Sequence, residues 1–220
     1  MLSAEAAAWL GVVGFGIYHG LNPSMGWPLA VANGLAARRD AAVFATVWPL
    51  GVGHLLAMAV VLVPFTLLAW YVEWNRVVRV GAGLLVLGFG VWRLARPRHP
   101  RFLARVPPTR LAWWSFLMAT AHGAGLMLVP IALGLCASEA AQHSHIGVGS
   151  GVATALLLAL VHTAVMITCG LALAWTVYRW FGLRFVARSW FNLETVWAVS
   201  LVLTGAIAAG IAWATPHAAS

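Results

Sequence analysis

Six stretches of this chain run apolar for about the length that crosses a bilayer, and that pattern leaves few folds open. They are Ala8–Ala36, Ala41–Trp70, Val77–Leu94, Leu111–Ala137, Gly149–Tyr178 and Trp190–Ala214, against the roughly 20 residues that a spanning helix needs. Only 8% of the 220 residues are charged and 62% are hydrophobic, whereas a soluble domain carries about 25% charged residues. Inside lipid a backbone must satisfy its own polar groups, which a helix does within one segment. The predicted fold is an all-α membrane protein of about six transmembrane helices.

The first apolar run is interrupted at Asn22-Pro23. Proline lacks a backbone donor and clashes with the preceding turn, so this span is predicted to be broken there into two half-helices. All thirteen basic residues are Arg, and they gather between the apolar runs. Arg38 and Arg39 follow the first run. Arg93, Arg96, Arg98, Arg101, Arg105 and Arg110 surround the third connection, and Arg179, Arg184 and Arg188 mark the fifth. The second connection sets Arg76 and Arg79 against Glu73, and the fourth holds no Arg. The positive-inside rule then puts the odd connections in the cytoplasm and both termini outside a bacterial-type inner (plasma) membrane.

The formal charge of +8 is thus a topology signal. The lipid bilayer is the expected partner and nucleic acid is not. Met1–Ala8 carries Glu5 and no basic segment, so a cleaved signal peptide is not expected. Cys136 and Cys169 form no CxxC pair or disulfide framework. The thirteen Trp suit an interfacial belt.

Comparing the two halves exposes an internal repeat. His19-Gly20, Met25, Pro28 and Gly34-Leu35 in the first half answer to His122-Gly123, Met127, Pro130 and Gly134-Leu135 in the second. The next run of each half carries His-x-x-x-Met, as His54 with Met58 and His162 with Met166. Residues 1–95 form the predicted first three-helix repeat, 96–110 a cytoplasmic Arg/Pro loop, and 111–220 the second repeat. An odd number of spans per half inverts the second copy. Inverted repeats with broken helices occur in secondary transporters, with the binding site between the halves near the bilayer midplane.

Residues four apart share a helix face, so His54 and Met58 do, as do His162 and Met166. Met118 lies four before His122, and Cys169 follows Met166. An ionisable side chain inside a membrane is a functional hypothesis by default, although any one His also serves by bonding a neighbouring helix. Imidazole binds Zn, Ni, Cu and Fe, while thioether favours Cu(I). The predicted substrate site is His19, Asn22, His54, His122 and His162. As metal ligands it would use the four histidines with Met25, Met58 and Met166, and the cargo would be Cu, Ni, Co or Zn. Met127 is assigned to packing.

The run His19-Gly20-Leu21-Asn22-Pro23-Ser24-Met25 resembles the nickel/cobalt transporter and urease-accessory membrane proteins, as does Gly53-His54. The 3+3 layout resembles the wider LysE-type exporter superfamily. The nickel/cobalt family shows His, four residues, then Asp-His; here Ser24 and Met25 stand in place of that pair. The resemblance implies a membrane transporter, and the exchange of Asp-His for Ser-Met moves the expected ion toward softer metals.

Among the other polar residues, Asn22 adjoins the break, where freed carbonyls can line an ion site. Asn33 is expected to cap. Glu194 near Arg188 suits an interfacial carboxylate. Glu139, Gln142, His143 and His145 fall in the outer fourth connection, where His-x-His can capture metal. Pro49, Pro64, Gly81, Gly83, Gly88 and Gly90 suit kinks and close helix contact. No phosphate cradle or nucleophile–base constellation occurs, so no enzyme is predicted. The expected function is secondary transport of a transition-metal cation. The alternatives are export of an amino acid or other small solute, a b-type haem protein using the histidines axially, and a non-transporting accessory subunit. Homo-oligomerisation stays open.

Overall fold

The computed structural model describes residues 3–71, 75–96, 106–142, 148–181 and 193–214. Helices α1 (Ala4–Leu21), α2 (Trp27–Ala37), α3 (Asp40–Tyr71) and α4 (Asn75–Ala95) make the first half. Helices α5 (Leu111–His122), α6 (Ala124–Gln142), α7 (Val148–Thr176) and α8 (Leu193–Ala214) make the second. Among the described residues there is no strand. Of the polar loop positions singled out above, His143 and His145 lie outside the described residues, as does most of the Arg/Pro loop.

Two helices are long and apolar enough to cross a membrane, Asp40–Leu68 and Gly151–Phe181. A third crossing results if Leu111–His122 and Ala124–Cys136, bent by 65°, are taken as one span. Val80–Ala95 and Ala198–Ala214 are apolar but shorter. By length and apolarity the described helices therefore supply two or three spans, fewer than the six apolar runs.

Outward faces carry the same message as composition. Along α3, Phe44, Trp48, Val52, Leu56 and Val60 are all exposed, Trp48 by 77%. On α8, Val199, Leu203, Ile207 and Ile211 repeat that four-residue stripe. Apolar faces this continuous need an apolar neighbour, and lipid supplies one. The opposite face of α3 buries Val43, Val47, Leu50, His54, Met58 and Leu62.

Helix breaks shape the interior. Helix α1 stops at Leu21, where the Asn22 side-chain oxygen accepts from Ser24 N at 3.0 Å and Ser24 Oγ at 2.7 Å. A 3-10 turn, Pro23–Met25, follows, and Gly26 at φ 104° redirects the chain into α2. Glycine takes that left-handed conformation without steric penalty. The second half breaks too, at Gly123 with φ 72°. This bend falls inside the apolar run Leu111–Ala137, beside His122; a glycine in the left-handed region after a helix is a common C-terminal stop.

The packing of the halves is crosswise. Helix α1 packs on α7 and α5 packs on α3; α3 also packs on α7, and α4 on α8. Close glycine contacts make these crossings tight. A Cβ on Gly16 would meet Val165 Cβ at 2.9 Å, and one on Gly20 would meet the Met166 carbonyl at 2.6 Å. Gly53 abuts the Ala112 backbone of α5, while Gly83 and Gly90 abut Ala209 and Val202 of α8. Gly81 and Gly88 face open space, so close contact applies to only two of the four glycines proposed for α4. Both Pro49 and Pro64 sit within a continuous α3.

Candidate functional site

Three histidines from three helices meet in the interior. His19 stands in the last turn of α1, His54 in the middle of α3 and His162 in the middle of α7, and each is at most 1% exposed. Their ring centres lie 4.8 Å apart for His19–His162, 5.6 Å for His54–His162 and 5.7 Å for His19–His54. The rings of His54 and His162 are nearly parallel, at 17°, and His19 stands edge-on to both.

Local chemistry explains the placement. Gly16 and Gly20 flank His19 on one side of α1, and their bare backbone lets α1 press against Val165, Met166 and Cys169. That Gly-x-x-x-Gly spacing is a close-packing signature of membrane helices, and it was the signal in the sequence that could have placed α1 against α7. On the other side of the cluster, Gly53 lets α5 approach α3 next to His54. Ser115 of α5 donates to the Leu50 carbonyl at 2.6 Å, one turn before His54, and is buried. Ser115 carried no sequence signal, because a serine in an apolar run reveals no partner.

The rings are also oriented. His19 Nδ1 lies 2.9 Å from the Phe15 carbonyl. A carbonyl only accepts, so Nδ1 carries the proton and the neutral ring keeps its lone pair on Nε2. His162 Nδ1 makes a longer contact, 3.4 Å, with the Val12 carbonyl of α1. Anchoring one ring nitrogen on a carbonyl so that the other faces an ion is the usual second-shell arrangement of a metal-binding His. The Nε2 atoms of His54 and His162 are buried and have no hydrogen-bond partner. Buried polar atoms are paired in the great majority of cases, and an orphan calls for a reason.

Three imidazoles bound to one ion at about 2 Å have ring centres roughly 5 Å apart, close to the observed separations. Among the described residues, however, no three His, Cys, Asp or Glu side chains are already disposed as a metal centre. The rings are gathered, and their nitrogens would still have to turn toward one point. The ring separations weigh more here, since imidazoles rotate more readily than helices move.

The remaining predicted residues divide. His122 is buried at the end of α5, with Nδ1 donating to the Met118 carbonyl at 2.8 Å. Asn22 is buried, but its oxygen is engaged by Ser24 as the cap of the break. Met25 and Met166 line one small cavity of about 20 Å³ beside Gly20 and Gly170. Met58 lies in an apolar cluster with Leu62 and Leu128, and Met127 packs with Val86 and Leu201. Asn33 Nδ2 donates to Thr46 Oγ1 at 3.1 Å, tying α2 to α3.

Two larger cavities flank this interior. One, about 450 Å³, is lined by residues including Glu5, Phe15, Ile131, Thr204 and Ile207. The other, about 650 Å³, is lined by residues including Asn33, Arg39, Thr46 and Pro107. None of the three histidines lines either one.

Fold and site together define a helical protein with lipid-compatible outer faces and a buried histidine cluster. Comparison of the chain with protein-family models, with curated proteins and with solved structures gave no match.

Proposed function

We propose that this protein is a secondary transporter of a transition-metal cation, built as six spans in two inverted three-helix halves. In this reading α1 with α2, α3 and α4 are the spans of one half, and α5 with α6, α7 and α8 those of the other. The crosswise packing supports it, since α1 meets α7 as α5 meets α3, and like meets like in α3–α7 and α4–α8. Both first spans are broken, at Asn22–Gly26 and at Gly123.

The observation that carries the reading is the meeting of His19, His54 and His162, with orphaned Nε2 atoms on His54 and His162. Neutral imidazole is a ligand for first-row transition metals. It offers a dehydrated cation lone pairs where lipid offers none. His122, buried at the second break, is the fourth candidate ligand. The site would lie between the halves, and rocking one half against the other would open it to alternate sides.

Haem has less support. The three rings are in mutual contact, at 4.8–5.7 Å, and a porphyrin needs its whole plane between axial ligands. Neither large cavity reaches the rings.

The test is metal uptake into vesicles holding the purified protein, with elemental analysis of the same preparation. Wild type should bind and move at least one of Cu, Ni, Co or Zn, and His54→Gln/His162→Gln should move none of them while remaining monodisperse. Equal uptake by the two proteins would sink the assignment.

A further inference from the structure

The small cavity between Met25 and Met166 has a lining unlike that of any polar site. It is walled by Gly20, Met25, Trp27, Val47, Met166 and Gly170 with three aliphatic neighbours, and none of these brings a polar side chain except Trp27. The Trp27 Nε1 already donates to the Leu21 carbonyl at 3.1 Å. A buried water needs two to four polar partners, and this lining is poor in them. The volume of about 20 Å³ accommodates about one water-sized particle.

Position makes the cavity informative. Met166 stands one helical turn from His162, and Gly20 is the neighbour of His19, so the cavity adjoins the histidine cluster. Its walls are held by main-chain contacts: a Cβ on Gly20 would meet the Met166 carbonyl at 2.6 Å, and one on Gly170 the Gly20 carbonyl at 3.3 Å. Met25 is set by the break itself, in the turn that Asn22 caps and Gly26 closes. On the far side, Val47 lines this cavity, while its neighbour Thr46 lines the 650 Å³ cavity beside Arg39. The repeat-related methionines, Met127 and Met58, form no such wall, because they lie in separate apolar clusters.

We propose that the cavity between Met25 and Met166 is a thioether station for a dehydrated soft monovalent cation, Cu(I), lying between the histidine cluster and the Arg-bearing end of α2 and α3. Thioether sulfur is a soft donor that favours Cu(I) over Zn or Ni, and a single-ion volume with no carboxylate disfavours a divalent charge. The inference rests on the transport reading for its purpose and names the cargo of that path. The ion passes without changing oxidation state, exchanging imidazole nitrogen for thioether sulfur.

Ag(I), a redox-inert substitute for Cu(I), is the probe. Purified full-length protein grown with selenomethionine is loaded with Ag(I), and X-ray absorption at the silver edge looks for selenium neighbours. Selenium marks methionine alone, so Cys169 cannot imitate the signal, and the test needs no mutation. Met25→Leu/Met166→Leu, a volume-conserving pair, should lose the selenium shell and bind Ag(I) at least about tenfold more weakly, yet keep any Zn or Ni bound at the histidines. His54→Gln/His162→Gln should keep the selenium shell. Silver without selenium neighbours in the unsubstituted protein, or unchanged Ag(I) affinity in the leucine variant, overturns the station. If the leucine variant loses Ag(I) while the glutamine variant still transports every ion, the station stands and the histidine site falls.

Discussion

His54 and His162 lie with ring centres 5.6 Å apart and planes 17° from parallel, although they belong to the long helices of opposite halves. Both Nε2 atoms are buried and without a hydrogen-bond partner. Leaving such an atom unsatisfied costs about 1–3 kcal/mol, so a partner shared by the two rings would stabilise the cluster. An ion shared with His19 would relieve both at once.

Removal of a ring should therefore separate binding from stability. His54→Ala and His162→Ala are each expected to weaken metal binding by more than about 10–100-fold, the loss typical of a mere second-shell partner. Thermal unfolding of the metal-free variants in detergent should change far less than that of the metal-loaded proteins. A variant that loses metal-free stability but keeps its metal affinity would assign the ring to helix packing.

The α1–α7 crossing should tolerate no added carbon. Gly20→Ala would drive its Cβ to 2.6 Å from the Met166 carbonyl and 2.8 Å from Cys169 Cβ, and overpacking of this kind costs about 1–3 kcal/mol. Gly14→Ala, on the same helix with nothing within 4 Å, should be neutral or stabilise by up to about 1 kcal/mol through helix propensity. Unfolding midpoints of the two variants check the contrast, and metal affinity should fall only in the first.

Asn22 is expected to act through the backbone. Asn22→Ala removes the acceptor of both Ser24 contacts and should cost about 0.5–2 kcal/mol, as for a lost N-cap. Asn22→Ser, which retains a capping oxygen, should recover part of that. If Asn22→Ala abolished metal binding with no loss of stability, the side chain would be a ligand instead.

Acid should release the ion. Imidazole binds metal only when neutral, so protons compete for the same nitrogen, and affinity falls once the medium is acid enough to protonate the rings. Metal competition carried down from neutral pH to the acid limit of the folded protein should show that loss. Affinity unchanged down to that limit would remove histidine from the ligand set.

The helical class, the Asn22-Pro23 break and the histidines were legible in the sequence, because each rests on local rules. Proline and glycine punctuate a helix wherever they fall, and an ionisable residue in an apolar run is conspicuous by contrast. The break at Gly123 was less visible, since glycine is common in membrane helices and only its left-handed φ of 72° marks a stop. Met58 shows the opposite limit: repeat position linked it to Met166, but packing placed it in an apolar cluster with Leu62 and Leu128, while Met127 packs as its sequence context suggested.

What the sequence determined by itself was a chain too apolar to face water, broken at a known place and carrying four histidines among its apolar runs. Which of them share a point was a tertiary decision. His19, His54 and His162 are far apart along the chain, and the crossings of α1 with α7 and of α3 with α7 bring their helices together. Local propensity acts over a helical turn or two, whereas the meeting of three rings depends on how closely whole helices can approach.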